Sequence, residues 1–266
     1  MAAPLRVQAL GSVPASSTGT LLTAHASANT KGAWVALGTL DIDAISLILR
    51  VGVNSGAIDA LIDLAVGQSS DEQIVQPNIL YTTPAVGCEV SAFRLPHLLT
   101  RGLPVWARMQ ANTGGASLRT VAYAVAGPVA YGLPRHATWG ADTSDSGGTS
   151  YDPGTSAHPN LGPWVQMVSA APFHVKALAL GIGNGGDYAR STATWHWRFG
   201  VGPANDEIQI AELDASVDQI RDAPVPGFLG WFSVNIPKGS RLSVASSCSI
   251  TGADRVVDVV LYGAGV

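Results

Sequence analysis

The chain has 266 residues, a net charge of −4 at pH 7, only 13% charged residues and 47% apolar ones. Soluble domains usually carry about 25% charged residues, so this chain has a neutral surface of the kind hidden by neighbours. Its hydrophobicity excludes intrinsic disorder. The absence of any Lys/Arg cluster excludes nucleic-acid and anionic-membrane binding.

The N-terminus, Met1-Ala2-Ala3-Pro4-Leu5-Arg6, leads into Gln, Gly, Ser and Pro instead of an apolar core. It does not read as a secretory signal, so synthesis in a host cytoplasm is expected. Residues 1–31 are polar, with little apolar area to tie themselves down, and are expected to form an arm docked on a neighbouring subunit. Ser46–Val53 and Thr120–Val125 are short, β-branched runs fenced by Gly, Asn and Ser, and predict strands. The longest apolar stretch, 44–53, is broken by Arg50 and is far short of the roughly 20 residues that span a bilayer. Gly56–Leu64 suits a short helical turn.

Residues 128–161 are rich in Gly, Ser and Pro and predict a linker. Further on, Thr194–Val201 places Trp195, Trp197, Phe199 and Val201 two apart, the mark of a strand with one buried face. On that reading His196 lies on the opposite, exposed face. Asp206–Val217 suits either a helical turn or a strand, and Arg255–Leu261 is again strand-like. Gly and Pro punctuate the chain at the spacing of sandwiches and barrels.

A duplication organises these elements. Gly32-Ala33-Trp34-Val35 returns as Gly162-Pro163-Trp164-Val165, and Leu64-Ala65-Val66-Gly67 as Phe199-Gly200-Val201-Gly202. Asp71-Glu72 is answered by Asp206-Glu207, Arg108 by Arg241 and Arg119 by Arg255. The copies are 130 residues apart at Trp34 and 136 apart at Arg119, the drift of a repeated fold whose loops vary. Two tandem antiparallel β-sandwiches, at 32–127 and 162–266, are the expected architecture. Recurring features belong first to the fold: Trp34 and Trp164 are expected in the cores, and Asp71-Glu72 and Asp206-Glu207 in equivalent turns whose acids bond their own backbone.

Motifs that carry chemistry are few. Gly181-Ile182-Gly183-Asn184-Gly185-Gly186 satisfies Gly-x-Gly-x-x-Gly, but no helix pattern follows to hold a phosphate, so it reads as a turn. The histidines at 25, 97, 136, 158, 174 and 196 have no metal-ligand spacing, and no Gly-x-Ser-x-Gly occurs. Asp142, Asp145 and Asp152 lack the register of a calcium loop. Cys88 and Cys248 fall at non-equivalent places, and no disulfide framework is indicated. No catalytic residue, metal or cofactor is expected. Trp139, Tyr131, Tyr151 and Tyr188 lie in or beside glycine-rich loops. Exposed aromatics on a β scaffold fill an interface or stack on sugar rings, which makes Trp139, Tyr151, Asp152 and Tyr188 the candidate glycan or partner contacts.

The segment Ser17–Ala24 followed by Asn29–Val35 resembles the start of β-sandwich modules in virion proteins of tailed bacteriophages and gene-transfer agents. There, a small-residue segment leads into a first strand. The resemblance implies jelly-roll-like sandwiches in a repeating particle, as capsid decoration, head or neck fibre, or tail component. It transfers no functional residue. The function expected is non-enzymatic and structural, with other virion proteins and copies of the chain itself as partners. A carbohydrate-binding adhesion pair that recognises host surface polysaccharide is the alternative. A glycoside hydrolase would need two carboxylates about 5–10 Å apart, and nothing in the sequence places such a pair.

Overall fold

The computed structural model describes residues 6–13, 18–53, 58–83, 91–127, 133–154, 160–183, 193–218, 223–225, 228–250 and 255–266. Among them every regular element of length is a strand, and all strand pairs are antiparallel. In the first sandwich one sheet has the order β2 (Ser12–Val13), β3 (Thr18–Thr23), β10 (Ser117–Ala126), β5 (Ser46–Val53), β8 (Ser91–Leu95), with β1 (Arg6–Leu10) also paired to β10. The sheet facing it runs β4 (Val35–Thr39), β9 (Pro104–Ala111), β6 (Ile58–Val66), β7 (Gln73–Thr83).

The second sandwich repeats this order. Its first sheet is β11 (Arg135–Trp139), β20 (Val257–Gly265), β14 (Val175–Gly183), β18 (Phe228–Ile236), with β12 (Thr149–Tyr151) also on β20. Its second is β13 (Val165–Val168), β19 (Leu242–Cys248), β15 (Ala193–Val201), β16 (Ile208–Asp218), β17 (Ala223–Val225). Apart from the β6–β7 and β15–β16 hairpins, the chain changes sheet as it passes along the main strands, which is the jelly-roll arrangement of two interleaved Greek keys. The protein is therefore all-β, built of two tandem jelly-roll sandwiches.

Side-chain alternation fills each sandwich. Along β10, Leu118, Thr120, Ala122 and Ala124 are buried while their neighbours are half-exposed. Trp195, Trp197 and Phe199 point into the second core, and Tyr151 lies against Trp197 with ring centroids 5.1 Å apart. Each sandwich has its own apolar cluster, and burying one large apolar side chain contributes about 1.5–3 kcal/mol.

The duplication reaches further than the sequence indicates. Within the segment expected to be an arm docked on a neighbour, Arg6–Leu10 and Thr20–Thr23 pair with β10 of the same chain. Within the expected linker, Arg135–Trp139 and Thr149–Tyr151 pair with β20. Both segments are the opening strands of their own copy, so neither the arm on a neighbour nor the structureless linker describes them. Gly148 explains the linker-like composition: a Cβ there would stand 2.7 Å from the Val259 carbonyl oxygen. Gly56–Leu64 is strand β6 from Ile58 onward and not a helical turn, while of the two readings of Asp206–Val217 the strand holds from Ile208, as β16.

Equivalent turns do keep equivalent geometry. Gly67 and Ser70 have φ of 120° and 76°, and Gly202 and Asn205 have 129° and 67°. A Cβ on Gly67 would lie 2.6 Å from the Asp71 carbonyl oxygen, so the turn needs glycine for space as well as for φ. Glu72 Oε1 accepts from the Ser70 N–H, as expected of an acid that holds its own turn. Glu207 also meets the backbone of its own turn, at Asn205, and in addition pairs with Arg241 at 2.6 Å. Trp34 and Trp164 are half-buried, outside both cores: Arg108 stacks over Trp34 at 4.3 Å, and Trp164 lies over Gly200.

Candidate functional site

The outward side of β6 and β7 in the first sandwich carries Leu61 and Leu80. The outward side of β14 and β20 in the second carries Ala179, Val260 and Tyr262. These five residues form a third apolar cluster, joining the sandwiches face to face. The stripe Ala179, Gly181, Gly183 permits the approach, since a Cβ on Gly183 would lie 2.7 Å from Thr82 Oγ1 and 2.8 Å from Leu80 Cδ2. Two glycines of the Gly-x-Gly-x-x-Gly motif thus belong to strand β14 and serve packing; Asn184, Gly185 and Gly186 lie outside the described residues.

Hydrogen bonds fix the register of this seam. The Leu80 N–H donates to Tyr262 Oη at 2.9 Å. Gln76 Nε2 donates to Thr138 Oγ1 at 2.8 Å, and the Thr138 hydroxyl donates to the Pro77 carbonyl. Gln110 Nε2 donates to the Thr143 carbonyl and to Ser146 Oγ, whose hydroxyl donates to Asn29 Oδ1. Along one border Phe93 meets Phe228 edge-on, and Trp231 Nε1 donates to the Arg94 carbonyl.

Titratable groups line the seam and are displaced from their ordinary ranges. Burial pushes Asp258 up to about 7, with Asp145, Asp59 and Asp142 adding to the effect, although the Gly148 N–H donates to it. Burial also lifts Asp59 to about 6. At the Trp231 border His136 and His97 lie against each other, their rings tilted and their centroids 4.9 Å apart. Burial, with the neighbouring imidazole second, lowers His136 to about 4, and burial lowers His97. Among the described residues no group of three or more His, Cys, Asp or Glu is placed to hold a metal.

Beside the seam, Asp63 is buried and receives both Lys31 at 2.8 Å and Arg108 at 2.9 Å. The Asn78 N–H donates to the same carboxylate. This closed ion-pair set holds the chain ahead of β4 against β6 and β7. Desolvation lowers the Lys31 ammonium, while Asp63 acts in the opposite direction.

The candidate contact residues are not brought together on a surface. Trp139 is buried beside Phe173, and a Cβ on Gly263 would run into its ring. Tyr151 is wholly buried; its oxygen accepts from the Ser246 N–H at 2.6 Å, and its hydroxyl lies 3.2 Å from the Pro163 and Ser246 carbonyls. Burial pushes its phenol up to about 12. Both aromatics are therefore core, because the glycines around them admit close strand packing instead of marking an open loop. Asp152 alone is exposed: it accepts from Arg255 Nε at 2.8 Å and from the Gly154 N–H, and the Arg255 hydrogen bond is the main cause of its lowered pKa. Tyr188 and Tyr131 lie outside the described residues.

The seam residues were not singled out in the sequence. A partial signal was present: Ala177–Gly183 of β14 and Val259–Gly265 of β20 read as runs without a charged residue, the pattern of strands covered on both faces.

No protein-family model matches the sequence, and no curated protein matches it. Solved structures with a similar trace exist. The STIV MCP, a viral major capsid protein, shares 9% identity at a TM-score of 0.40, covering 99% of this chain and 96% of its own. A peptide-N(4)-(N-acetyl-β-D-glucosaminyl) asparagine amidase shares 10% identity at 0.44, covering 92% and 96%. The protein of cowpea mosaic virus empty particles shares 9% at 0.33, covering 97% and 88%. Viral capsid proteins are thus among the structural neighbours, beside an amidase. At these scores likeness assigns this chain neither a partner nor a reaction.

Proposed function

We propose that the protein is a non-enzymatic structural component of a virion, which builds into the particle beside other virion proteins and copies of itself. The observation that carries this reading is the seam. Two jelly rolls are joined face to face through Leu61, Leu80, Ala179, Val260 and Tyr262, giving a four-layer block instead of two modules on a tether. Jelly rolls serve viral capsids and lectins alike, and the depleted charge of the chain favours life among neighbours. Phage-type placement as capsid decoration, neck fibre or tail component follows from the resemblance of the opening segment.

The adhesion alternative draws less support from the described candidates, since Trp139 and Tyr151 are buried and Asp152 reaches solvent. Mass spectrometry of gradient-purified particles tests the structural reading, with stoichiometric copies in the particle expected. Its absence from particles, together with binding of the isolated protein on a glycan array, would establish the alternative.

A further inference from the structure

We infer that the two outermost sheet faces of the block dock head to tail on further copies of the same chain, one copy's first-sandwich face on another's second-sandwich face. This rests on the reading of the protein as a building block and names its partner surface.

The intrachain seam defines the geometry. It joins the outward side of the β4-β9-β6-β7 sheet of one jelly roll to the outward side of the β11-β20-β14-β18 sheet of the next. Because the copies share one topology, each block retains one unused face of either kind. The register identifies the counterparts: Tyr123 opposite Ile48 answers Tyr262 opposite Ala179, and His196 opposite Asp214 answers Leu61 opposite Leu80. The end faces are thus the seam's two sides, present again without a cover.

Their chemistry is complementary. The first-sandwich face presents Arg50 and Arg119 around Tyr123, bordering a shallow hollow also lined by Val121, with Val7 and Leu21 exposed on adjoining strands. The second-sandwich face presents Glu212 and Asp214, whose side chains are 56% and 82% exposed, on either side of His196. Arg198 lies on the same face, cross-strand from Glu212. A face with paired arginines therefore matches one on which the paired carboxylates Glu212 and Asp214 outweigh Arg198. Two like faces would oppose equal charges, which disfavours a two-fold dimer through either face. Head-to-tail contacts close into a ring or continue as a filament according to the rotation between successive copies.

Charge reversal on the full chain tests the pairing. R50E/R119E removes the bond from half-buried Arg119 to the Gly19 carbonyl and E212R/D214R the contacts to His196, so unchanged circular dichroism and thermal midpoints are required to verify the fold. Wild-type protein is expected to self-associate in light scattering and native mass spectrometry. Each variant alone is expected to lose association at least tenfold, and an equimolar mixture is expected to regain it as alternating complexes, because each reversed face then meets its complement. A wild-type chain that stays monomeric at 100 µM, variants that associate like wild type, or a mixture that stays apart would each overturn the inference. Association with these properties in a protein absent from particles would overturn the virion reading alone. A particle component without this contact would overturn the inference alone.

Discussion

Strands β10 and β20 occupy the same place in the two jelly rolls and bury different amounts of themselves. In β10 the residues alternate between buried and half-exposed, whereas every residue of β20 is buried. The difference is not in the fold but in what lies outside it: Tyr123 of β10 faces solvent, while its counterpart Tyr262 is covered by Leu80 of the first sandwich. Strands β6 and β15 make the same contrast in reverse, with Leu61 buried in the seam and His196 on a polar outer face. The two sandwiches share one topology, and the sequences of their faces differ according to which is internal.

The sharpest way to break this comparison is to place a charge on each side of it. Leu80→Asp puts an unpaired carboxylate in the apolar seam and is expected to cost about 4 kcal/mol or more. The equivalent Asp214→Leu, on the outer face, should stay within about 0.5 kcal/mol. Urea denaturation of both variants measures the gap, and equal costs would remove the distinction between the faces.

A smaller effect depends on pH. Asp258 is raised to about 7 when folded, so the folded chain holds its proton more tightly than the unfolded one. Its cost is absent below pH 4 and grows as pH rises through 7. Asp258→Asn should therefore raise stability at pH 8 by about 2 kcal/mol and leave it nearly unchanged at pH 4; a variant no more stable at pH 8 would contradict this. His136 works in the opposite direction, since its lowered value means that stability is lost as pH falls from 6.5 to about 4. His136→Gln should flatten that acid limb in a melting series from pH 7 to 4.

The smallest effect concerns one hydrogen bond. Tyr262→Phe leaves the Leu80 N–H without its partner and should cost about 1–2 kcal/mol. Tyr123→Phe, at the equivalent uncovered place, should cost almost nothing, and thermal melts of the pair compare them directly.

Much of the fold was legible. The alternation of Trp195, Trp197 and Phe199 announced a strand and its buried face, and the repeat announced two sandwiches. The Asp71-Glu72 turn recurred for a backbone reason, as its positive-φ partners Gly67 and Ser70 show. What stayed hidden was long-range. Strands β11 and β12 are short and glycine-flanked because β20 comes close, and in sequence close packing looks the same as flexibility. Trp139 and Tyr151 were misplaced for that reason. Trp34 and Trp164 recur without being core, since each stands at a sheet border against Arg108 or Gly200. The seam itself depends on which faces meet, which residue periodicity does not encode, although the uncharged runs Ala177–Gly183 and Val259–Gly265 marked two of the strands involved.

The central claim is that the two sandwiches form one block and not two tethered modules. Differential scanning calorimetry of the full chain tests it most directly. One transition is expected, with calorimetric and van't Hoff enthalpies equal, and Leu80→Asp is expected to split it in two. Two separate transitions in the wild-type chain would contradict the account.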